Sequence, residues 1–112
     1  MNLNNIDAIN YSYLQEMYED SYFPNSLVDK GKEILLGLCA EIEAAQPKTL
    51  DELYLLTHQA TDKFNDLQEE FYAQGSEIET AARECIAVDF ENLARIYGFD
   101  ADIEELTANR DW

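Results

Sequence analysis

The stretch Thr49–Gly75, TLDELYLLTHQATDKFNDLQEEFYAQG, decides the fold class. Leu53, Thr57, Ala60, Phe64, Leu67 and Phe71 recur in it at spacings of 4, 3, 4, 3 and 4. That rhythm keeps one stripe on a helix, whereas strand side chains alternate every second residue. The start is marked too. Thr49 and Glu52 form Thr-x-x-Glu, a pair whose side chains satisfy free backbone N–H groups at a helix N-terminus. Gly75 supplies the stop, because glycine adopts the left-handed residue beyond a helix at no steric cost. The near-heptad stripe suits packing at a shallow angle in a bundle.

The same logic extends outward. Upstream, Leu27, Gly31, Ile34, Leu35, Leu38, Ile42 and Ala45 lie on one face of a helix expected from about Ser26 to Ala45. Asn25 or Ser26 can cap it, and Gln46-Pro47 ends it. Gly31 and Gly37 weaken its propensity by about 1 kcal/mol each, a cost that close helix–helix approach can repay. An earlier helix is expected from about Asp7 to Glu19, broken by Asp20-Ser21-Tyr22-Phe23-Pro24. Downstream, Ser76 and Glu79 repeat the capping pattern before Ile78, Ala82, Cys85, Ile86, Leu93 and Ile96, with Gly98 as the stop. A short fifth helix is expected over about Ala101–Ala108 with Asp100 as its cap, and Trp112 is expected to fold back. No alternating strand appears. The expected architecture is all-α: one domain over residues 1–112, a bundle of four main helices plus a short C-terminal helix, with antiparallel neighbours.

Charge narrows the function. Of 112 residues, 24 are Asp or Glu and 7 are Lys or Arg, a net charge of −17. Such a surface repels phosphate, which excludes nucleic acid and anionic membranes as expected partners. Hydrophobic residues make up 46%, enough to build a core rather than a disordered chain. The opening Met1-Asn2-Leu3-Asn4-Asn5-Ile6-Asp7 lacks the basic and apolar regions of a secretory signal, and no apolar run nears the ~20 residues of a membrane span. A cytoplasmic protein is expected, with Cys39 and Cys85 buried and reduced.

Catalytic signatures are absent. His58 has Asp62 four residues on, and Asp66, Glu69 and Glu70 follow. Carboxylates and an imidazole on one face suit a divalent cation. Di-metal bundles, however, use Glu-x-x-His, and Leu55 stands three before His58. A metal-dependent enzyme built on His58 is therefore the alternative reading, and no metal, cofactor or catalytic residue is assigned.

The acids themselves are patterned. Asp62, Asp66, Glu69 and Glu70 form a stripe on the third helix, and Glu77, Glu84 and Glu91 recur every seventh residue along the fourth. Adjacent helices would merge them into one negative patch, relieved locally by the pairs Glu79–Arg83 and Glu91–Arg95. A second candidate is Tyr18-Glu19-Asp20-Ser21-Tyr22, aromatics set among acids, since aromatics favour interface cores and charge steers a partner. The competing readings are a solvated face and aromatics that pack over the bundle end.

Met17-Tyr18-Glu19-Asp20-Ser21-Tyr22-Phe23-Pro24, then Leu27-Val28-Asp29-Lys30, resembles the opening of a small bacterial family of unknown function. Leu56-Thr57-His58, Phe64-Asn65-Asp66-Leu67, Gly75–Thr80, Tyr97-Gly98-Phe99 and Arg110-Asp111-Trp112 resemble it as well. The resemblance covers nearly the whole chain after residue 10. It implies an acidic, stand-alone bacterial protein and carries no catalytic residues. A looser likeness of size and charge is to bacterial immunity and antitoxin proteins. The expected function is a non-catalytic binding protein, a monomer or weak homodimer, whose acidic helical face engages a basic protein, with a nuclease toxin as the finer expectation. A purely structural helical module is a further alternative.

Overall fold

A computed structural model describes residues 3–112; Met1 and Asn2, where the N-terminal reading began, lie outside the described residues. Six helices follow in order: α1 (Ile6–Asn10), α2 (Gln15–Glu19), α3 (Asn25–Ala45), α4 (Leu50–Ala73), α5 (Thr80–Ile96) and α6 (Ile103–Leu106). No strand occurs among the described residues. The all-α bundle is as the periodicity predicts.

α4 is the spine. All six residues of its stripe, Leu53 through Phe71, are buried. Thr49 Oγ1 accepts from the Glu52 N–H at 3.2 Å, and the Glu52 carboxylate reaches back to the Lys48 N–H at 3.3 Å. α3 packs along α4 after the short turn at Gln46–Thr49, which makes the two antiparallel. Gly31 permits that approach. A Cβ there would meet Leu14 Cδ1 at 2.9 Å and Phe64 Cε1 at 3.2 Å, whereas one at Gly37 would meet nothing within 4 Å. On α3, Ile34 is only partly buried and Ala45 is exposed. The helix starts directly after Pro24, with no side-chain cap from Asn25 or Ser26.

The expected first helix is in fact two. α1 and α2 are separated at Tyr11–Leu14, and Leu14 is left-handed with φ 52°. That conformation costs roughly 1–2 kcal/mol for a non-glycine residue. Contacts distant in sequence hold it. Asp89 Oδ2 accepts from the Leu14 N–H at 2.7 Å, and Asp89 Oδ1 accepts from the Tyr11 hydroxyl at 2.6 Å. Tyr13 turns inward and donates to the Ala8 carbonyl at 2.5 Å. Hydrogen bonds to a charged group contribute about 1.5–3 kcal/mol each, enough to offset the strain.

Two further boundaries differ from expectation. α5 begins at Thr80, not at Ser76, because the Ser76 hydroxyl is buried and donates to the Tyr22 carbonyl at 2.9 Å instead of capping a helix. α6 is capped by Asp102 rather than Asp100, and Asp102 accepts from the Glu104 N–H at 2.9 Å. Beyond α6 the tail folds back. Trp112 is 8% exposed, edge-on to Phe64 at 6.2 Å, with the Arg110 guanidinium 5.6 Å above its ring. Cys39 and Cys85 are buried and unpaired.

The bundle measures 40 × 26 × 19 Å and has two distinct ends. One gathers the Asp20–Pro24 loop and the Gly75–Glu79 connection. The other gathers the Gln46–Thr49 turn, Tyr97–Phe99 and the N-terminal Asn4 and Asn5, which are clamped there by Glu43.

Candidate functional site

The two acidic stripes do not merge into one face. α4 lies mainly along α3 and meets α5 in the core through Phe64 and Phe90, 5.9 Å apart, while α6 packs against both α5 and α4, so the C-terminal segment covers the outer side of the α4–α5 seam. Asp62 faces that segment, accepting from Asn109 Nδ2 at 2.6 Å. Glu70 faces the other way and pairs with Lys30 on α3. Asp66 and Glu69 are exposed between them. Glu77 lies before α5, so the seventh-residue series survives only as Glu84 and Glu91. Glu91 is 3.9 Å from Arg95 as expected. Glu79 and Arg83 form no ion pair among the described residues, and Arg83 Nε is buried without an acceptor.

His58 is occupied structurally. Its Nε2 is 2.6 Å from the Glu105 carbonyl oxygen, its ring stacks on Tyr54, and its own carbonyl accepts from Asn109 at 3.0 Å. It therefore docks the C-terminal segment onto α4. No group of three or more His, Cys, Asp or Glu able to hold a metal occurs among the described residues.

The aromatic loop and part of the acidic series do converge. Ser76 ties the Gly75–Glu79 connection to Tyr22, which stands 40% exposed against Phe23 at 5.1 Å. Partial desolvation, then the nearby Glu77 and Glu79 carboxylates, raise the Tyr22 phenol above its ordinary pKa. Asp20 accepts from the Tyr22 N–H at 2.9 Å, and Glu19 accepts from Gln15 at 3.2 Å. Tyr18 donates to Asp29 at 2.6 Å, and burial followed by that bond pushes its phenol up to about 12.

Next to this end lies a groove that the sequence reading missed. Tyr11, Ser12, Gln15 and Glu16 form one wall, and Glu84, Cys85, Val88 and Asp89 of α5 form the other, around a cavity of about 340 Å³. Asp89 is 5% exposed. Its donors are the Tyr11 hydroxyl and the Leu14 N–H, both neutral, and Tyr11 in turn accepts from Asn92 at 2.9 Å. Burial raises the Asp89 carboxyl above the ordinary aspartate value, against the opposing pull of those two donors. Burial likewise pushes Tyr11 to about 12 and the Cys85 thiol to about 11, too high for a reactive thiolate. A signal was available: Ile86, Asp89, Leu93 and Ile96 follow helical spacing, which puts an acid on the core stripe of α5.

Glu43 is a second missed carboxylate, at the opposite end. It accepts from Tyr97 at 2.5 Å and from the Asn4 and Asn5 N–H groups at 2.7 and 3.2 Å. The Tyr97 hydroxyl, foremost, lowers its pKa. A hollow of about 420 Å³ beside it is lined by Ile42, Pro47, Tyr97 and Phe99. Its role is to latch the N-terminal segment to α3.

A family model described as Family of unknown function (DUF5713) matches residues 7–112. The chain belongs to this family. DUF5713 membership takes in the aromatic loop, Asp89 and the docked tail in one match, and it transfers no catalytic residue. No curated protein and no solved structure matches the chain. No described helix is long and apolar enough to cross a membrane.

Proposed function

We propose that the protein is a non-catalytic binding protein whose acidic surface engages a basic protein partner. The observation that supports this reading is the end of the bundle where Tyr22 stands exposed beside Glu77 and Glu79. The ion pairs among the described residues are Lys30–Glu70, Glu91–Arg95 and Glu104–Arg110, and none involves Glu77, Glu79, Glu84 or Glu16. An aromatic anchor within uncompensated charge suits a cationic surface: the ring supplies contact area and the charge raises the encounter rate by ~10–10³-fold. Neutralisation of a nuclease toxin, in the manner of immunity and antitoxin proteins, is the finer form of the proposal, since a nuclease's nucleic-acid cleft is itself cationic.

The test is affinity capture from the native organism at low salt, run in parallel with a Tyr22→Ala/Glu77→Lys/Glu79→Lys variant of confirmed helicity. A basic protein held by the wild type, released by salt and lost by the variant supports the reading. Identical capture by both proteins, or no basic protein with either, overturns it.

A further inference from the structure

The groove beside that end has a feature the acidic surface alone does not explain. A carboxylate at 95% burial would ordinarily be paired with a cation, because an uncompensated buried charge is costly. Asp89, 5% exposed, receives only two neutral hydrogen bonds, one on each oxygen, which leaves lone pairs on both unused. The cavity of about 340 Å³ opens beside it, with Glu16 and Glu84 on opposite walls. None of the three carboxylates takes part in an ion pair among the described residues. The remaining lining fits an alkyl stem: the Tyr11 ring, the Cys85 thiol and Val88, which is 44% exposed. Long cationic side chains bury such stems along apolar surface while the charged head finds polar partners.

Resting on the proposed acidic-surface function, we infer that this groove receives one lysine or arginine side chain of the basic partner. The stem lies on Tyr11 and Val88, and the head reaches Glu16, Glu84 and the open side of Asp89. Tyr22, Glu77 and Glu79 then form the adjoining outer contact. The groove serves as the specificity element: it distinguishes a partner with a projecting cation from any diffusely basic surface.

The experiment is an amide NMR titration of the full chain with N-acetyl-lysine N-methylamide, using the norleucine analogue as the uncharged control. Saturating shifts confined to Ser12, Leu14, Gln15, Cys85 and Asp89 are expected for the lysine probe and absent for norleucine. Glu16→Gln with Glu84→Gln, both at exposed positions, should weaken the lysine probe about 10-fold without loss of fold. Val88→Trp, also at an exposed position, should block the groove. Shifts that never saturate, spread evenly over the acidic surface, or match the norleucine response overturn the inference. A lysine hexapeptide separates it from the underlying reading. If Glu77→Lys/Glu79→Lys abolishes hexapeptide binding while the single lysine never enters the groove, the inference fails and the acidic-surface function stands. If the lysine enters but that variant leaves the hexapeptide unaffected, the groove stands and the outer contact fails.

Discussion

Replacement of Asp89 by alanine should unpin the Tyr11–Leu14 bend. Asp89→Ala removes the acceptor of the buried Leu14 N–H, at 2.7 Å, and of the Tyr11 hydroxyl, at 2.6 Å. An unsatisfied buried donor costs about 1–3 kcal/mol. Leu14 also stays left-handed at φ 52° with nothing to reward it, a strain of roughly 1–2 kcal/mol. Relief of the carboxylate's own desolvation works in the other direction. The net loss should be about 3 kcal/mol, equivalent to a Tm drop of roughly 15 °C at this chain length. Asp89→Asn should lose less, about 1–2 kcal/mol, because one amide oxygen can still accept from Leu14. Urea denaturation followed by circular dichroism measures both. A loss below about 1 kcal/mol for Asp89→Ala, or an unchanged amide shift at Leu14, would refute the claim that this carboxylate fixes the bend.

Asp89 is raised by burial, so the stability that its protonation adds is fully present below the unfolded value of about 3.9 and is lost as pH rises through its folded value, while the hydrogen bonds to Leu14 and Tyr11 persist. The stability advantage of wild type over Asp89→Asn should therefore grow as pH falls from neutral toward 4. Glu43 is lowered, chiefly by Tyr97, so its contribution is present above about 4.3 and lost as pH falls through its folded value. Glu43→Gln should accordingly destabilise at neutral pH and match wild type in strong acid. Gly31→Ala should destabilise by about 1 kcal/mol, since overpacking of roughly 1–3 kcal/mol outweighs the helix propensity gained. Gly37→Ala, facing open space, should stabilise by about 0.5–1 kcal/mol. Trp112→Ala should cost about 3 kcal/mol and detach the tail, seen as loss of amide protection at Leu106 and Thr107.

Helix content was legible because its cause is local. The stripe from Leu53 to Phe71, the Thr49 cap and the stops at Gly75 and Gly98 each act within a few residues. The expected first helix failed because its interruption is not local: Asp89 reaches 75 residues along the chain to hold Leu14. Ser76 carried a valid capping pattern but spent its hydroxyl on the Tyr22 carbonyl, a partner 54 residues away. The acidic residues were visible one by one, while their grouping was not. Spacing along single helices suggested an α4–α5 patch, but the docked C-terminal segment intervenes and ties Asp62, and Lys30 pairs with Glu70. The Tyr18–Tyr22 loop and Glu77 stand far apart in the sequence, and only the fold puts Tyr22 beside Glu77 and Glu79. Asp89 is one acid among 24 by residue type, and its place on the inner stripe of α5 is the one sign in the sequence that sets it apart.

The most direct measurement compares two charge reversals of equal size at opposite ends of the bundle. Glu77→Lys/Glu79→Lys/Glu84→Lys alters the Tyr22 end, and Glu41→Lys/Asp51→Lys/Asp100→Lys alters the other by the same +6. Binding of each to the captured basic partner is measured by calorimetry at two salt concentrations. The first set should abolish binding, while the second should leave it within a few-fold of wild type. Equal losses from both sets would mean that net charge alone governs association, which would contradict a defined binding surface.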